Sequence, residues 1–290
     1  MTAEVRIVAV AYVRIASAEP QAAARFAAEI LGLEPVAGAD GDIALRSDSR
    51  YRTLSLVAAP HRPSIGIEVW DDAALAAAEA ALAAAGFAAR RASPEECRVR
   101  YAMAAVLAQD GSGNAIDLVV RPMQSGRRYF PSRDAGITGL HDVALRSTAI
   151  ARDRAFWTAL GARISGYVGE ITYLAIDDCH HRIALHPATR AGPLYAAFEV
   201  ESLDQIMQNH YVMQERQVRI VQGPGRQPAS GQIFLHVEGP DGMIYSYVHG
   251  MDRAPPHGRP PRQYPLEAES LCAWGSESQG VPELAAEGGA

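Results

Sequence analysis

The sequence predicts an α+β fold of two similar domains, each made of two paired βαβββ modules. Three observations carry this expectation. The chain repeats itself at an offset near 130 residues, and internal repetition marks duplicated architecture. A strand-then-helix pattern begins near residues 5, 64, 138 and 194. Two or three short alternating or apolar runs follow each of those starts, as strands do.

Taken in order, AVAYVRIAS (9–17) reads as a strand and QAAARFAAEILGLEPV (21–36) as an amphipathic helix. GLHDVALRS (139–147) and ARDRAFWTALGARIS (151–165) repeat that plan, and RTLSLVAAP (52–60) resembles HRIALHPAT (181–189). SIGIEVWDDAALAAAEAALAAAGF (64–87) resembles YAAFEVESLDQIMQNHYVMQERQV (195–218), again strand then helix, with Gly86 as a stop. VLAQDGSGNAIDLVV (106–120) resembles FLHVEGPDGMIYSYV (234–248), and GSGN and GPDG are hairpin signals. The remaining strand candidates are 42–47, 53–59, 102–109, 115–121, 171–176, 182–186, 232–238 and 243–248.

A small sheet with one helix on a face leaves its other face open, and pairing two units closes the sheets around a central space. Two paired halves therefore predict two cavities. Residues 123–136 read as a linker, which sets domains at 1–133 and 134–255. Residues 256–290 form a Pro-rich tail, whose RQYPLEAESLCAWGS segment is expected to pack back on the body. The last dozen residues are expected to fray.

Composition narrows the function. Net charge is −6 with no basic block, which gives no electrostatic footprint for nucleic acid. All 27 basic residues are arginine, so Schiff-base and P-loop lysines are excluded. Cys97, Cys179 and Cys272 are widely separated and offer neither a zinc pair nor a disulfide framework. MTAEVRIVAV lacks a signal-peptide n-region, and no apolar run approaches membrane-spanning length. The expectation is a soluble cytoplasmic protein.

GLHDVALRS, CHHRIALHP, FEVESLDQI, GPGRQP and GPDGMIYSY together resemble the vicinal oxygen chelate superfamily. More narrowly, they are similar to the two-domain extradiol ring-cleavage dioxygenases of the 2,3-dihydroxybiphenyl 1,2-dioxygenase type, over roughly residues 5–275. That resemblance implies a vestigial N-terminal copy that serves as scaffold. It also implies a C-terminal half that holds iron(II) through two histidines and a glutamate, with positions left open for catecholate and dioxygen. The matching positions here are His141, Tyr195 and Ser246, so one ligand of three is retained. A serine hydroxyl is a poor Fe(II) ligand, and a tyrosine ligates only as phenolate, against an ordinary pKa near 10. The expectation is therefore a lost metal site and no cofactor, or Fe(II) if the ligands lie elsewhere. In the N-terminal half the equivalent positions are Ala11, Ser64 and Asp117, expected to be scaffold.

The resemblance also assigns the other pocket residues. His181 matches the family's proton-relaying histidine, Gln227 stands where GPGRH carries a histidine, and His236 stands where a tyrosine is common. His181 and His236 are expected as acid and base, since imidazoles titrate near neutral pH. His141, Tyr195, Gln227, Ser246 and Tyr247 are expected to contact a phenolic or polyketide-like substrate. His180 is expected on the opposite face, with His186, His210 and His249 structural. The alternatives are a non-catalytic protein that sequesters an aromatic ligand, and a conventional Fe(II) ring-cleaving dioxygenase. The implied partners are a small aromatic molecule and further copies of the chain, with neither nucleic acid nor membrane.

Overall fold

The computed structural model describes residues 4–38, 42–58, 62–254 and 260–286. The N-terminal half runs β1 (Ile7–Ala16), α1 (Pro20–Arg25), β2 (Glu34–Val36), β3 (Ile43–Arg46) and β4 (Leu54–Val57), then β5 (Ser64–Val69), α2 (Asp72–Ala84), β6 (Ala89–Arg91), α3 (Pro94–Val99), β7 (Ala102–Gln109) and β8 (Ala115–Pro122). The C-terminal half runs β9 (Ile137–Ser147), α4 (Ile150–Ala159), β10 (Arg163–Val168), β11 (Ile171–Ala175) and β12 (Ile183–Pro187), then β13 (Gly192–Val200), α5 (Leu203–Glu215), β14 (Ile220–Arg226), β15 (Ile233–Glu238) and β16 (Ile244–His249). The tail adds β17 (Arg262–Tyr264) and α6 (Ala268–Leu271).

Local chemistry sets the helix starts. Asp71 accepts from the Ala74 amide at 2.8 Å, and Ser202 accepts from that of Gln205, so each satisfies an orphan donor. Helix α3 is not among the expected elements. Its signal is Ser93-x-x-Glu96, a capping box closed in both directions. α1 continues as a wider helical turn over Phe26–Leu31 and stops at Gly32, whose φ of 93° suits glycine.

The two halves are one topology written twice. The sheet orders are β2-β3-β4-β1-β5-β8-β7-β6 and β14-β15-β16-β13-β9-β12-β11-β10-β17. In each, the opening strands of the two modules pair antiparallel at the centre (β1 with β5, β9 with β13). Each central strand is flanked in parallel by the last strand of its own module. The fold is thus the α+β duplicate expected.

One face of each sheet takes α1 and α2 in the first half and α4 and α5 in the second. Those faces merge into a single core that crosses the halves, with Phe87 meeting Phe156 edge-on at 5.2 Å. The other faces form separate inner clusters, Ala11, Tyr12, Cys97, Ala105 and Val119 in one half and Ala144, Tyr173, Tyr195, Phe234 and Ile244 among others in the second. Asp153, fully buried on α4, accepts from the Ser112 amide at 2.8 Å and from the Ser147 hydroxyl, tying the first half's hairpin to the second half.

The tail differs from expectation in one respect. β17 pairs in parallel with β10, and Cys272 and Leu284 are buried in the C-terminal inner cluster. Glu283 pairs with Arg146 at 2.6 Å, so residues 279–286 are anchored rather than frayed, and 287–290 lie outside the described residues. Among the described residues no helix is long and apolar enough to cross a membrane.

Candidate binding site in the C-terminal half

Strand parity decides which side chains face the inner side of the C-terminal sheet, called here the C-terminal chamber, where they pack as a buried cluster. On β9, Val143 and Leu145 belong to the helix-side core, whereas Ala144 belongs to the inner cluster. Side chains alternate along a strand, so Asp142, next to Val143, points to the inner face; His141 is the unpaired residue of a register irregularity between Leu140 and Asp142, where alternation breaks. His141 lines a different pocket of about 360 Å³ with Arg50, Glu68 and Arg182. The first strand position of the site is therefore Asp142, one residue beyond the His141 expected. Asp142 lies opposite Ala197, which in turn lies opposite Ser246, so the three form one row across β9, β13 and β16.

Asp142 is fully buried and is the hub. One oxygen accepts from Gln232 Nε2 at 3.0 Å and lies 2.7 Å from His141 Nδ1. The Tyr195 hydroxyl faces the same carboxylate. The other oxygen, Oδ2, is buried without a hydrogen-bond partner. His181 Nε2, also buried and unpartnered, stands 3.8 Å from it, beyond hydrogen-bond reach. The Tyr173 ring sits 4.7 Å from the His181 ring, and its hydroxyl accepts from Gln227 at 2.8 Å. His236 stacks on Phe234 at 4.6 Å, lies 5.2 Å from Tyr195 and bonds Ser246 through Nδ1.

The structure thus gathers His181, Tyr195, Gln227, His236 and Ser246 around a carboxylate that motif matching overlooked. Tyr247 is not among them. It faces the helix side, where its hydroxyl donates to the Leu31 carbonyl at 3.0 Å and accepts from Arg133 at 2.9 Å. Tyr247 is therefore a tie between the halves rather than a ligand contact.

The environment sets the charges. Burial would push His141 down, but its hydrogen bonds to Asp142 and Cys179 and the Asp142 charge outweigh it and raise it to about 9. Burial would also raise Asp142, yet His141, His181 and Gln232 hold it below the usual carboxylate range. The two are thus an ion pair at neutral pH. Burial drives His181 and His236 down to about 3, against the pull of Asp142. Both imidazoles are neutral near pH 7, far from the half-titrated state that suits a proton shuttle. In that state each ring can donate one hydrogen bond and accept another, which disfavours the acid–base role expected of them.

The same row exists in the N-terminal half with its residues exchanged. Tyr12 lies opposite Gly66, and Gly66 opposite Asp117. Ser64 stands two residues before Gly66 on β5, as Tyr195 stands two before Ala197 on β13. At the three equivalent positions each half therefore carries one tyrosine, one serine and one aspartate. In the first half the carboxylate sits on the last strand; in the second it sits on the first. Ser246 has not left the second chamber without its anion.

Residues 139–245 match the family model of the Glyoxalase/Bleomycin resistance protein/Dioxygenase superfamily. Among curated relatives, the chain is similar to a biphenyl-2,3-diol 1,2-dioxygenase of Sphingomonas paucimobilis, 24% identical over 254 residues, covering 79% of this chain and 84% of the relative. It is likewise similar to a 1,2-dihydroxynaphthalene dioxygenase of Sphingobium xenophagum, 23% identical over 279 residues, covering 88% and 90%. A solved catechol 2,3-dioxygenase shares the fold with a TM-score of 0.84 at 19% identity, covering 97% of each chain. So does a Mn(II)-bound glyoxalase from Novosphingobium aromaticivorans, with a TM-score of 0.84 at 20% identity, covering 97% and 94%.

These relatives correct the expectation of a protein without a cofactor. The family resemblance implies iron(II), and a neighbour of the same fold has Mn(II) bound. The side chains present here nonetheless do not fit the two-imidazole, one-carboxylate arrangement that suits Fe(II). Asp142, Tyr195 and Ser246 offer a carboxylate and two hydroxyls, and the imidazoles of His181 and His236 near them do not converge with Asp142 into a cluster of donors within 4.8 Å. Among the described residues, three carboxylate, thiol or imidazole donors converge within 4.8 Å only at Asp177, Asp178 and Cys179, outside the chamber. Asp177 and Asp178 are each already paired, with Arg182 at 2.8 Å and Arg253 at 2.9 Å.

Proposed function

We propose that the C-terminal chamber binds a small hydroxylated aromatic compound, an aromatic diol by kinship with the extradiol dioxygenases. The observation that carries this reading is the pair of unpartnered buried atoms, Asp142 Oδ2 and His181 Nε2, 3.8 Å apart. Buried polar groups are almost always hydrogen-bonded, and an unpaired one costs about 1–3 kcal/mol. A ligand hydroxyl seated between them donates to the carboxylate and meets the imidazole, relieving both. The Tyr195 hydroxyl stands beside the same carboxylate, where a vicinal second hydroxyl falls. Val168, Phe234, Ile244 and Val248 pack in the buried cluster beside these groups and supply apolar surface for an aromatic ring.

The test is a thermal-shift and calorimetric titration with catechol and 2,3-dihydroxybiphenyl, with oxygen uptake followed in parallel, with and without added Fe(II) or Mn(II). The reading expects a dose-dependent rise in melting temperature, because a ligand that binds only the native state stabilises it. It expects Asp142→Asn and His181→Ala each to weaken binding by about tenfold or more, the loss of one charge-assisted contact. Diols that bind both variants as tightly as the parent chain would overturn it. Oxygen uptake with a diol separates a catalyst from a binding protein.

A further inference from the structure

A cavity of about 610 Å³ lies in the N-terminal half, which the family resemblance marks as scaffold. Arg14, Ser64, Val99, Arg100, Leu107 and Asp117 line it. This volume falls within the roughly 300–1,000 Å³ typical of small-molecule sites. Its floor is a built polar network. Tyr12 and Ser64 donate to Asp117 at 2.9 and 2.7 Å, and Arg100 pairs with the same carboxylate at 3.0 Å. Gly66 makes room for this: a Cβ there would meet the Tyr12 ring at 2.5 Å.

Charge in this chamber does not balance. Arg14 pairs with Asp42 at 3.3 Å and Arg100 with Asp117. Arg52 lies behind them, 3% exposed, its guanidinium 4.2 Å over the Tyr12 ring. It donates to the Ser55 hydroxyl at 2.6 Å, but its Nε and one terminal nitrogen are buried without a partner. Among the described residues it has no carboxylate partner of its own. Burial lowers its pKa, with Tyr12 and Asp117 opposing, yet a guanidinium stays protonated. Arg14, which lines the cavity and is 4% exposed, also has a buried, unpartnered Nε. Three guanidinium groups thus face two carboxylates. The rim adds little: Arg90 pairs with Glu96, Glu95 with Arg98, and Arg62 is exposed. A buried charge without a counter-charge is costly.

We propose that the N-terminal chamber is a second binding site, for a small organic acid bearing a single carboxylate on an apolar body. One unmatched positive charge calls for a monoanion. Arg14 and Arg100, on the wall, present the forked donors that fit a carboxylate. Leu107, Val99, Ala88 and Ala108 supply the apolar surface for the body. This site lies on the opposite half from the Asp142 chamber and stands independently of the function proposed for it.

The probe is benzoate, titrated into the full chain and followed by melting temperature and calorimetry, with inorganic phosphate and cyclohexanol as comparisons. Benzoate is expected to raise the melting temperature in proportion to its concentration, with both comparisons at least about tenfold weaker. Arg14→Met is expected to abolish the response. Leu107→Trp, which fills the chamber from its wall and leaves the arginines in place, is expected to abolish it as well. The circular dichroism and melting temperature of each ligand-free variant show whether it folds, and Leu107→Trp decides the matter if Arg14→Met does not. Benzoate without effect at millimolar concentration would overturn the proposal. So would a response unchanged in Leu107→Trp, or phosphate or cyclohexanol binding as well as benzoate.

Discussion

Replacing Asp142 with asparagine keeps the shape of the hub and removes its charge. In the parent chain, Asp142 holds His141 at about 9 although burial pulls it the other way. A rise from the ordinary 6.5 to about 9 is worth roughly 3 kcal/mol at 1.36 kcal/mol for each pH unit. The depressed Asp142 describes the same interaction and is counted once. The sign follows from His141 binding its proton more tightly when folded. Its stabilisation is fully present below about pH 6.5 and is lost as pH rises through about 9. The loss in Asp142→Asn is therefore expected to be about 3 kcal/mol at pH 6 and to shrink below about 1 kcal/mol by pH 9.5. Urea unfolding of both proteins at the two pH values measures it. A loss equal at both, or under about 0.5 kcal/mol at pH 6, would refute the ion pair.

Acid should unfold the protein. His181, His186 and His236 are held by burial at about 3, 4 and 3, so the unfolded chain binds more protons below pH 6.5. Each group then costs about 1.4 kcal/mol per pH unit, partly offset by Asp110, which burial raises to about 6. Circular dichroism should show loss of structure between about pH 5 and 4, and a flat profile across that range would contradict the burial of these rings. Gly66→Ala drives a methyl into the Tyr12 ring and is expected to cost about 1–3 kcal/mol, with Tyr12→Leu in the same chain recovering part of it by denaturant titration. Asp153→Ala removes the acceptor of the Ser112 and Ser147 hydroxyls, while the Ser112 amide keeps Asp110; a loss of about 2–4 kcal/mol in unfolding free energy is expected.

The duplicated fold was legible because periodicity and order survive in the sequence where identity has faded. The strand candidates 102–109 and 115–121 become β7 (Ala102–Gln109) and β8 (Ala115–Pro122) almost residue for residue. The site was legible only in part. In GLHDVALRS the histidine drew the assignment, yet Val143 and Leu145 belong to the core face, and a slip of one residue turns every side chain over. Read by parity instead of by motif, the same nine residues would have given Asp142. The depressed protonation of His181 and His236 was hidden for a different reason. Burial, which moves both imidazoles to about 3, is a tertiary property that no local spacing encodes. The N-terminal chamber was hidden likewise. Its arginines come from β1, the approach to β4 and the end of α3, and only folding sets them around Tyr12 and Asp117. The tail was misjudged on composition: Gly and Ala surround Val281, Glu283 and Leu284, the three residues that anchor it.

A crystal structure of the chain with catechol bound is the most direct test. The account predicts the ring in the C-terminal chamber with one hydroxyl oxygen in hydrogen-bond reach of both Asp142 Oδ2 and His181 Nε2. Catechol seated elsewhere, with those two atoms still unengaged, would contradict it.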